Sequence, residues 1–234
     1  KELATVKQVW WKHQGRLKLS SNLVLRATPI YQWLKQSIDG GDFGDIYAFD
    51  GEYLYGRLHK ITCGWRKNVD DYSVMLGGGV HLIDLMVWLT GQRPSSTQAV
   101  GNRICTESTA FRYRDYVAAT FQCPSSLIGR VTANFGCMHR HQHAVRVFGT
   151  NQTFVYDDAG PRHHSMRDPS TVARPVNLPT LPATKGELVA PFVSAIVHDE
   201  NMNAHTQEIF DVISLCAASD EALQSGSEVE VHYV

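Results

Sequence analysis

Apolar residues recur at helical spacing in well-separated segments of the chain. The first segment carries Leu3, Val6 and Val9 on one stripe and stops at Gly15. Another segment follows Thr28-Pro29, a pair that suits a helix N-terminus because proline is tolerated in the first turn. Helices are therefore predicted at residues 1–14, 29–38, 80–89, 188–198 and 204–224.

Alternating apolar and polar residues predict strands between these helices. An early strand is predicted at residues 17–25, and alternating aromatic residues mark a second at 46–55. Further strands are predicted at residues 98–105, 116–122, 128–135, 144–148, 153–156 and 229–234. Most of them are joined by short turns, which favours an antiparallel sheet with helices on one side. Residues 157–186 lack periodicity and are predicted to form a long surface excursion.

The composition of the chain argues against two classes of partner, nucleic acids and membranes. The chain has 234 residues, 43% of them hydrophobic, and a formal net charge of −1. Nucleic acid is not expected as a partner, because binding it rewards a basic surplus. No apolar run is long enough for a membrane span, so no membrane partner is expected. Five cysteines without a C-x-x-C pair predict reduced thiols and a cytoplasmic location.

One segment contains candidate catalytic and ligand-binding residues. Gly77-Gly78-Gly79 precedes His81, and Asp84 lies three residues further on the same helix face. Histidine titrates near neutrality, which suits proton transfer to or from a hydroxyl. Asp84 could orient the imidazole or bind a ligand itself. The alternative is a buried, hydrogen-bonded His81 with Asp84 as a helix cap.

A second constellation is Cys137, His139, His141 and His143. In a strand these alternate residues would share one face. Alternating histidines can bind Zn²⁺ or another transition metal, but no carboxylate stands at a fixed spacing from them. A polar histidine row without metal is therefore the preferred interpretation, and no metal site is assigned.

The segment around His81 resembles the C-terminal domain of the glucose-fructose oxidoreductase / inositol dehydrogenase / MocA family. In that family a glycine-rich turn leads to a His, an Asp three residues later, and an apolar helix ending in Trp-Leu-x-Gly. The likeness extends to Arg26-Ala27-Thr28-Pro29, to residues 40–46, to Trp65-Arg66 and to the closing helices at 192–226.

The resemblance implies an α+β fold: a large, open, mostly antiparallel β-sheet with helices on one face, like the C-terminal domain of dihydrodipicolinate reductase. Residues 1–25 would be the last helix and strand of a Rossmann domain. Residues 26–234 would form the substrate-binding and oligomerisation domain. No G-x-G-x-x-G motif follows a strand here, and the chain opens on Lys1 rather than Met, so a fragment is expected.

The resemblance also implies a function. The whole protein would use NAD or NADP to transfer hydride to or from a sugar, polyol or sugar derivative, with His81 handling the hydroxyl proton. The cofactor-binding residues would lie mostly in the missing domain, and self-association through the open sheet is expected. Substrate-binding candidates are Arg26, Tyr55, His59, Lys60, Trp65, Arg66 and Asp84. Aromatic residues at strand spacing are, however, more often core or sheet surface, and Lys60 could be a solvated charge.

Two departures from the family pattern bear on activity. The family's Glu-Lys-Pro motif would fall just before Lys1, and many members carry Asp where this chain has Gly77. The isolated chain is therefore expected to be inactive. Two alternatives stay open: a non-catalytic binding or assembly module with the same fold, and a metal-dependent enzyme that uses His139, His141 and His143.

Overall fold

The computed structural model describes residues 2–234, so Lys1, which opens the predicted first helix, lies outside them. The α-helices are α1 (Glu2–His13), α2 (Pro29–Asp39), α3 (His59–Thr62), α4 (Val80–Thr90), α5 (Val189–Val197) and α6 (Asn203–Ser225). Short 3₁₀ helices occupy Val24–Ala27 and Trp65–Asn68. A π-helical turn at Met75–Gly79 leads directly into α4.

The strands form one sheet. They are β1 (Ile46–Leu54), β2 (Ser96–Asn102), β3 (Tyr116–Gln122), β4 (Ile128–Asn134), β5 (Gln142–Gly149), β6 (Thr153–Asp157), β7 (Gly160–His164), β8 (Arg174–Pro175) and β9 (Val229–Glu230). Among the described residues the order is β8-β7-β6-β5-β1-β4-β3-β2-β9. β1 pairs parallel with β4, and the other pairs are antiparallel. The predicted fold class is confirmed.

One face of the sheet makes the core. Phe49 and Tyr53 of β1 and Val131 of β4 are buried on this face against α4, and α6 packs beside α4 on β2. The opposite face carries the alternate residues and is more polar, with ion pairs between Asp50 and Arg130 and between Glu52 and Arg146. This alternation follows from the two-residue period of a strand.

One strand prediction was wrong, and another was confirmed only in part. Residues 17–25 form no strand: they are extended and then turn into the 3₁₀ helix at Val24–Ala27. A strand needs a neighbouring strand to satisfy its backbone, and here the carbonyl of Leu19 accepts the Thr206 hydroxyl of α6 at 2.8 Å instead. At the C-terminus, the predicted strand at 229–234 is reduced to the two residues of β9.

The predicted surface excursion needs a correction as well. Residues 157–186 contain β7 and β8, which extend the sheet at one edge. Gly160, at a φ of 89°, makes the tight turn from β6 into β7. The proline and arginine content of these strands hid the alternation from sequence analysis, and edge strands tolerate such residues.

Candidate functional site

The turn Met75–Gly79 and helix α4 place His81 beside the end of β1. Leu82, Ile83 and Leu85 of α4 are fully buried, and the helix ends at Gly91 in the left-handed conformation. Gly78 is required by close packing, since a Cβ there would lie 2.5 Å from the ring of Tyr53. A π-helical turn at this position is notable because such turns are frequent at functional sites.

His81 belongs to a group of rings centred on Tyr53, which we call the Tyr53 cluster. The ring centroid of Tyr53 lies 5.0 Å from that of His143, 5.3 Å from His141, 5.5 Å from Phe135, 5.9 Å from Tyr55 and 6.4 Å from His81. The cluster gathers three imidazoles: His81 from α4, His143 from the beginning of β5, and His141 from the residue just before β5. Sequence analysis placed His141 and His143 in a different constellation from His81.

The three imidazoles of the Tyr53 cluster are held in the neutral form. Burial lowers the pKa of His81, and His141 lowers it further. Burial also lowers the pKa of His143 to about 3, with contributions from His141, His81 and Arg57. The pKa of His141 is lowered by its burial and by Arg57. A neutral imidazole can accept one hydrogen bond and donate another, which suits hydroxyl groups.

Several polar atoms of this region are buried without a hydrogen-bond partner among the described residues. They include Nδ1 of His81 and Nε2 of His143. The Tyr72 hydroxyl fills the space that a side chain at residue 77 would take, so Gly77 is needed for its placement. Buried polar groups are normally satisfied, and unsatisfied ones point to bound water or a ligand.

Asp84 forms its hydrogen bonds with Arg26 and not with a histidine of the Tyr53 cluster. Its carboxylate accepts bonds from Arg26, with Nη2 at 2.6 Å and Nε at 3.0 Å from Oδ1. Arg26 also donates to Glu208 of α6 at 2.6 Å. Burial raises the pKa of Asp84 to about 6, while Arg26 opposes the rise. The pair thus joins the first residues of the chain to α4 and α6, and its predicted role in substrate binding stays a prediction.

The remaining candidates lie on the segment that follows β1. Tyr55 is buried in the Tyr53 cluster, and the guanidinium groups of Arg57 and Arg66 lie 5.8 Å and 5.9 Å from its ring centroid. Trp65 is 65% exposed and lies 4.7 Å from the Arg66 guanidinium. The structure thus brings Tyr55, Trp65 and Arg66 into one aromatic and basic lip.

The other two candidates of this segment, His59 and Lys60, lie on the short helix α3. Both side chains are exposed. No hydrogen bond or ring contact within residues 2–234 links either side chain to the Tyr53 cluster. Their predicted role in substrate binding also stays a prediction.

The predicted histidine row is only partly a strand. Because β5 begins at Gln142, His139 lies in the preceding turn, where its Nε2 is 3.0 Å from Asp158. Only His141 and His143 face the same rings. Within residues 2–234, no three His, Cys, Asp or Glu side chains are arranged to hold a metal ion.

A polar cleft of about 890 Å³ opens on the other side of Tyr72. Its walls include Ser73, Arg114 and Asp220, and Ser73 donates to Asp220 at 2.8 Å. Tyr72 therefore separates this cleft from the Tyr53 cluster. Sequence analysis missed Tyr72. The signal that could have indicated it is Gly77, because the absence of a side chain there leaves room for the Tyr72 hydroxyl.

A comparison with protein-family models identifies the family of the chain. The model of the GFO/IDH/MocA C-terminal domain matches residues 31–155, more than half of the chain. The chain belongs to this family. That family includes oxidoreductases such as inositol dehydrogenases, and the matched residues contain β1, α4 and the whole Tyr53 cluster.

Two curated proteins are similar to part of the chain. Over 138 residues it is 27% identical to glucose-fructose oxidoreductase domain-containing protein 2 from Bos taurus and 26% identical to the protein of the same name from Homo sapiens. The match covers 54% of this chain and 35% of each relative. The matched part therefore spans about a third of the length of these relatives.

Solved structures share the fold. Myo-inositol 2-dehydrogenase from Lactobacillus plantarum superposes with a TM-score of 0.77 at 17% identity, over 99% of this chain and 70% of that one. Scyllo-inositol dehydrogenase from Lactobacillus casei, solved with NAD(H) and scyllo-inositol, gives 0.73 at 19% identity, over 98% and 69%. Levoglucosan dehydrogenase with NADH and levoglucosan gives 0.70 at 19%, over 91% and 66%. Identities this low show the fold alone.

Proposed function

We propose that this chain is the substrate-binding and oligomerisation part of an NAD(P)-dependent oxidoreductase that acts on a CH–OH group of a sugar, polyol or sugar derivative. The observation that carries the proposal is His81 itself: a neutral, partly exposed imidazole at the start of α4, set among aromatic rings in a domain of this family. The related structures with bound scyllo-inositol and levoglucosan support the substrate class.

His81 is the proton-handling group of this proposal. Its Nδ1 is buried, which leaves Nε2 as the atom that can meet a ligand. Since its pKa is lowered, the imidazole is neutral at pH 7 and can accept the proton of a substrate hydroxyl during oxidation. In the reverse direction it returns that proton to the developing alkoxide.

The described residues do not form a glycine-rich dinucleotide-binding loop. Gly77-Gly78-Gly79 lies in a π-helical turn that follows no strand, and residues 2–234 contain no G-x-G-x-x-G loop between a strand and a helix. When bound to the whole protein, NAD or NADP supplies the hydride acceptor or donor. We assign residues 1–25 to the end of the dinucleotide domain and residues 26–234 to the substrate domain.

The lip after β1 would hold the substrate. Trp65 offers an exposed ring to stack on a sugar face, while Arg66 and Tyr55 lie behind it. His59 and Lys60 are assigned here as further hydrogen-bond donors to the substrate, and Arg26 with Asp84 as substrate-binding residues of the same site. Uncharged polyols suit a site of neutral imidazoles and hydroxyl groups, because each hydroxyl can both donate and accept.

Self-association through the open sheet face is part of this proposal. Val100, Tyr47 and Ile128 are 71%, 54% and 40% exposed there, and a sheet face with apolar residues is normally covered. We also place the protein in the cytoplasm, because all five cysteines are free. Separately, none of the described helices has the length and apolar content needed to cross a membrane.

A second candidate function is a non-catalytic binding module. It is favoured by Gly77, because the first turn before His81 carries no acidic side chain and its space is filled by Tyr72. Such a module would bind a polyol without turning it over. Assays of turnover and of binding on one preparation separate the two candidates.

The test uses the full-length protein that carries this chain. Initial rates of NAD(P)H formation are measured with a panel of inositols and aldoses. We expect turnover with at least one of them, and a fall of about 10²–10⁴ in kcat for His81→Ala, the usual scale for acid–base catalysis. His164→Ala, an exposed histidine of β7, is the control. Equal kcat in His81→Ala and wild type would remove His81 from the chemistry, and binding without turnover would favour the module.

A further inference from the structure

Asp220 of α6 is a partly buried carboxylate that the proposed proton transfer does not use. It accepts the hydroxyl of Ser73 at 2.8 Å, and Ser73 stands two residues before the π-helical turn Met75–Gly79. One helical turn earlier on the same face of α6, the thiol of Cys216 lies 3.9 Å from the carbonyl oxygen of Met75. Helix α6 therefore contacts the beginning of the π-helical turn at two points.

Ser73 binds the first backbone N–H groups of this turn. The N–H groups of Met75 and Leu76 both donate to the Ser73 hydroxyl oxygen, at 3.1 Å each, and the N–H of Gly77 donates to the Ser73 carbonyl at 2.8 Å. N–H groups at the beginning of a helical segment lack partners inside the segment, and serine is a preferred residue for binding them. Ser73 thus caps the segment that leads to His81.

The chemistry of the partners fixes the direction of these hydrogen bonds. Backbone N–H groups can only donate, so the Ser73 oxygen accepts from both of them. Burial raises the pKa of Asp220 to about 6, although the hydrogen bond from Ser73 opposes the rise, so the carboxylate is ionised at pH 7.5 and can only accept. A hydroxyl has one hydrogen and two lone pairs. Because Asp220 holds the hydrogen, both lone pairs are left for Met75 and Leu76.

The π-helical turn continues into α4 without a break. Val80, the first residue of α4, donates its N–H to the carbonyl of Met75, five residues earlier, which is the spacing of a π-helix. His81 is the next residue. Such turns are rare and occur mostly as single turns within α-helices, so groups outside the turn are expected to stabilise it. A displacement of Met75 would therefore reach His81 through one hydrogen bond and one peptide unit.

From these contacts we infer that Asp220 is a positioning residue for His81. It orients the Ser73 hydroxyl, which holds the first N–H groups of the π-helical turn and so fixes where α4 begins. Asp220 does not touch the substrate in this role. The contribution of His81 to turnover rests on the proposed function, whereas the hydrogen bonds from Asp220 to the turn are a property of the chain itself.

Hydrogen exchange tests these hydrogen bonds without any activity. Exchange is followed by mass spectrometry in the full-length protein at pH 7.5, in peptides that cover residues 74–82. We expect exchange about five- to tenfold faster there in Asp220→Leu and in Ser73→Ala, the scale set by the loss of one helix cap. The double variant should match Ser73→Ala alone, because both changes act through one hydroxyl.

Two further variants separate this role from a general effect on α6. Asp220→Asn keeps a side-chain oxygen that can accept from Ser73, so exchange at residues 74–82 should stay within about twofold of the wild type. Glu221→Leu removes the exposed carboxylate of the next residue and is the matched control. Its exchange at residues 74–82 should equal that of the wild type.

The ring signal of His81 reports its position. The ring lies 6.4 Å from the ring of Tyr53 and is nearly parallel to it, at 21°, so a movement changes the ring current that His81 experiences. In ¹H–¹³C spectra of the full-length protein labelled at histidine, the His81 signal should shift or broaden in Asp220→Leu and Ser73→Ala. It should keep its wild-type position in Asp220→Asn and Glu221→Leu.

Kinetics supply a readout that a merely structural role would not move in this way. With a substrate that the wild type turns over, Asp220→Leu should lower kcat about tenfold and leave KM nearly unchanged, because Asp220 meets no substrate. Asp220→Asn should retain most of the wild-type kcat. If the wild type turns over no polyol, the proposed function fails, and hydrogen exchange and the His81 signal still decide the inference about Asp220.

Three results would overturn the inference. They are unchanged exchange at residues 74–82 in Asp220→Leu, an unmoved His81 signal in that variant, and equal losses in Asp220→Asn and Asp220→Leu. An active wild type with the same kcat as Asp220→Leu would also refute the positioning role, while leaving the proposed function intact. If Asp220→Leu does not fold, Ser73→Ala takes its place in each comparison.

Discussion

Acid should lower the free energy of unfolding because His143 binds a proton in the unfolded chain and not in the folded one. A single substitution at His143 should remove this effect. The pKa of His143 is lowered to about 3, mainly because burial disfavours the charged imidazole. In the unfolded chain a histidine has a pKa near 6.5. Between these two values the unfolded chain binds a proton that the folded chain does not, so stability is present above about pH 6.5 and is lost as the pH falls toward 3.

The size of the effect follows from the same two values. Between pH 7 and pH 5 the unfolded state gains most of one proton at this site, and the folded state gains almost none. With 1.36 kcal/mol per pH unit, the loss from His143 over this interval is as much as about 2 kcal/mol. His143→Phe carries no titrating group there, so its free energy of unfolding should depend less on pH by this amount.

Urea unfolding at pH 7 and pH 5, followed by tryptophan fluorescence and circular dichroism, measures the difference. The comparison is between the pH dependence of the wild type and that of His143→Phe, so the contributions of the other buried groups cancel. His164→Phe, at an exposed site, should keep the wild-type dependence. If His143→Phe loses as much stability between the two pH values as the wild type does, the ring of His143 is not buried as described.

Three further predictions concern packing and assembly. Asp84→Asn should lower the free energy of unfolding by about 1–3 kcal/mol, since Arg26 loses its buried charged partner and keeps only the half-exposed Glu208, whereas Arg26→Met/Asp84→Leu should recover most of the loss in urea titrations. Gly78→Ala should cost about 1–3 kcal/mol by crowding Tyr53, while Gly15→Ala, with open space around it, should be neutral in the same assay. Val100→Asp on the open sheet face should shift the mass measured by light scattering toward the monomer; an unchanged mass would exclude Val100 from any interface.

The fold could be predicted from the sequence wherever a local pattern decides the structure. Alternating aromatic residues identified β1, and the apolar run identified α4, because burial on one face imposes these periods. Residues 17–25 also alternate, but the structure gives them no neighbouring strand. Strand pairing is a non-local property, so alternation alone could not show that this segment stays unpaired.

The candidate site could be predicted only in part for the same reason. His81 stood out because a polar residue interrupts an apolar helix after three glycines. His143 is far from His81 along the chain, and only the pairing of β5 with β1 brings the two rings together. The hydrogen bonds between Arg26 and Asp84 likewise depend on the packing of the first segment against α4.

The central place of β1 in the sheet has a consequence for how the chain folds. β1 is the first strand in sequence, yet its two neighbours are β4 and β5, whose residues come about eighty to a hundred positions later. One edge of β1 therefore stays open until the chain has reached residue 134, and the other until it has reached residue 149. Pairing over such sequence distances is slow, and an open aromatic strand invites association with other chains. A ribosome-bound chain stopped near residue 125 should be prone to aggregation, and one stopped late enough for residue 149 to have left the ribosome should be protected.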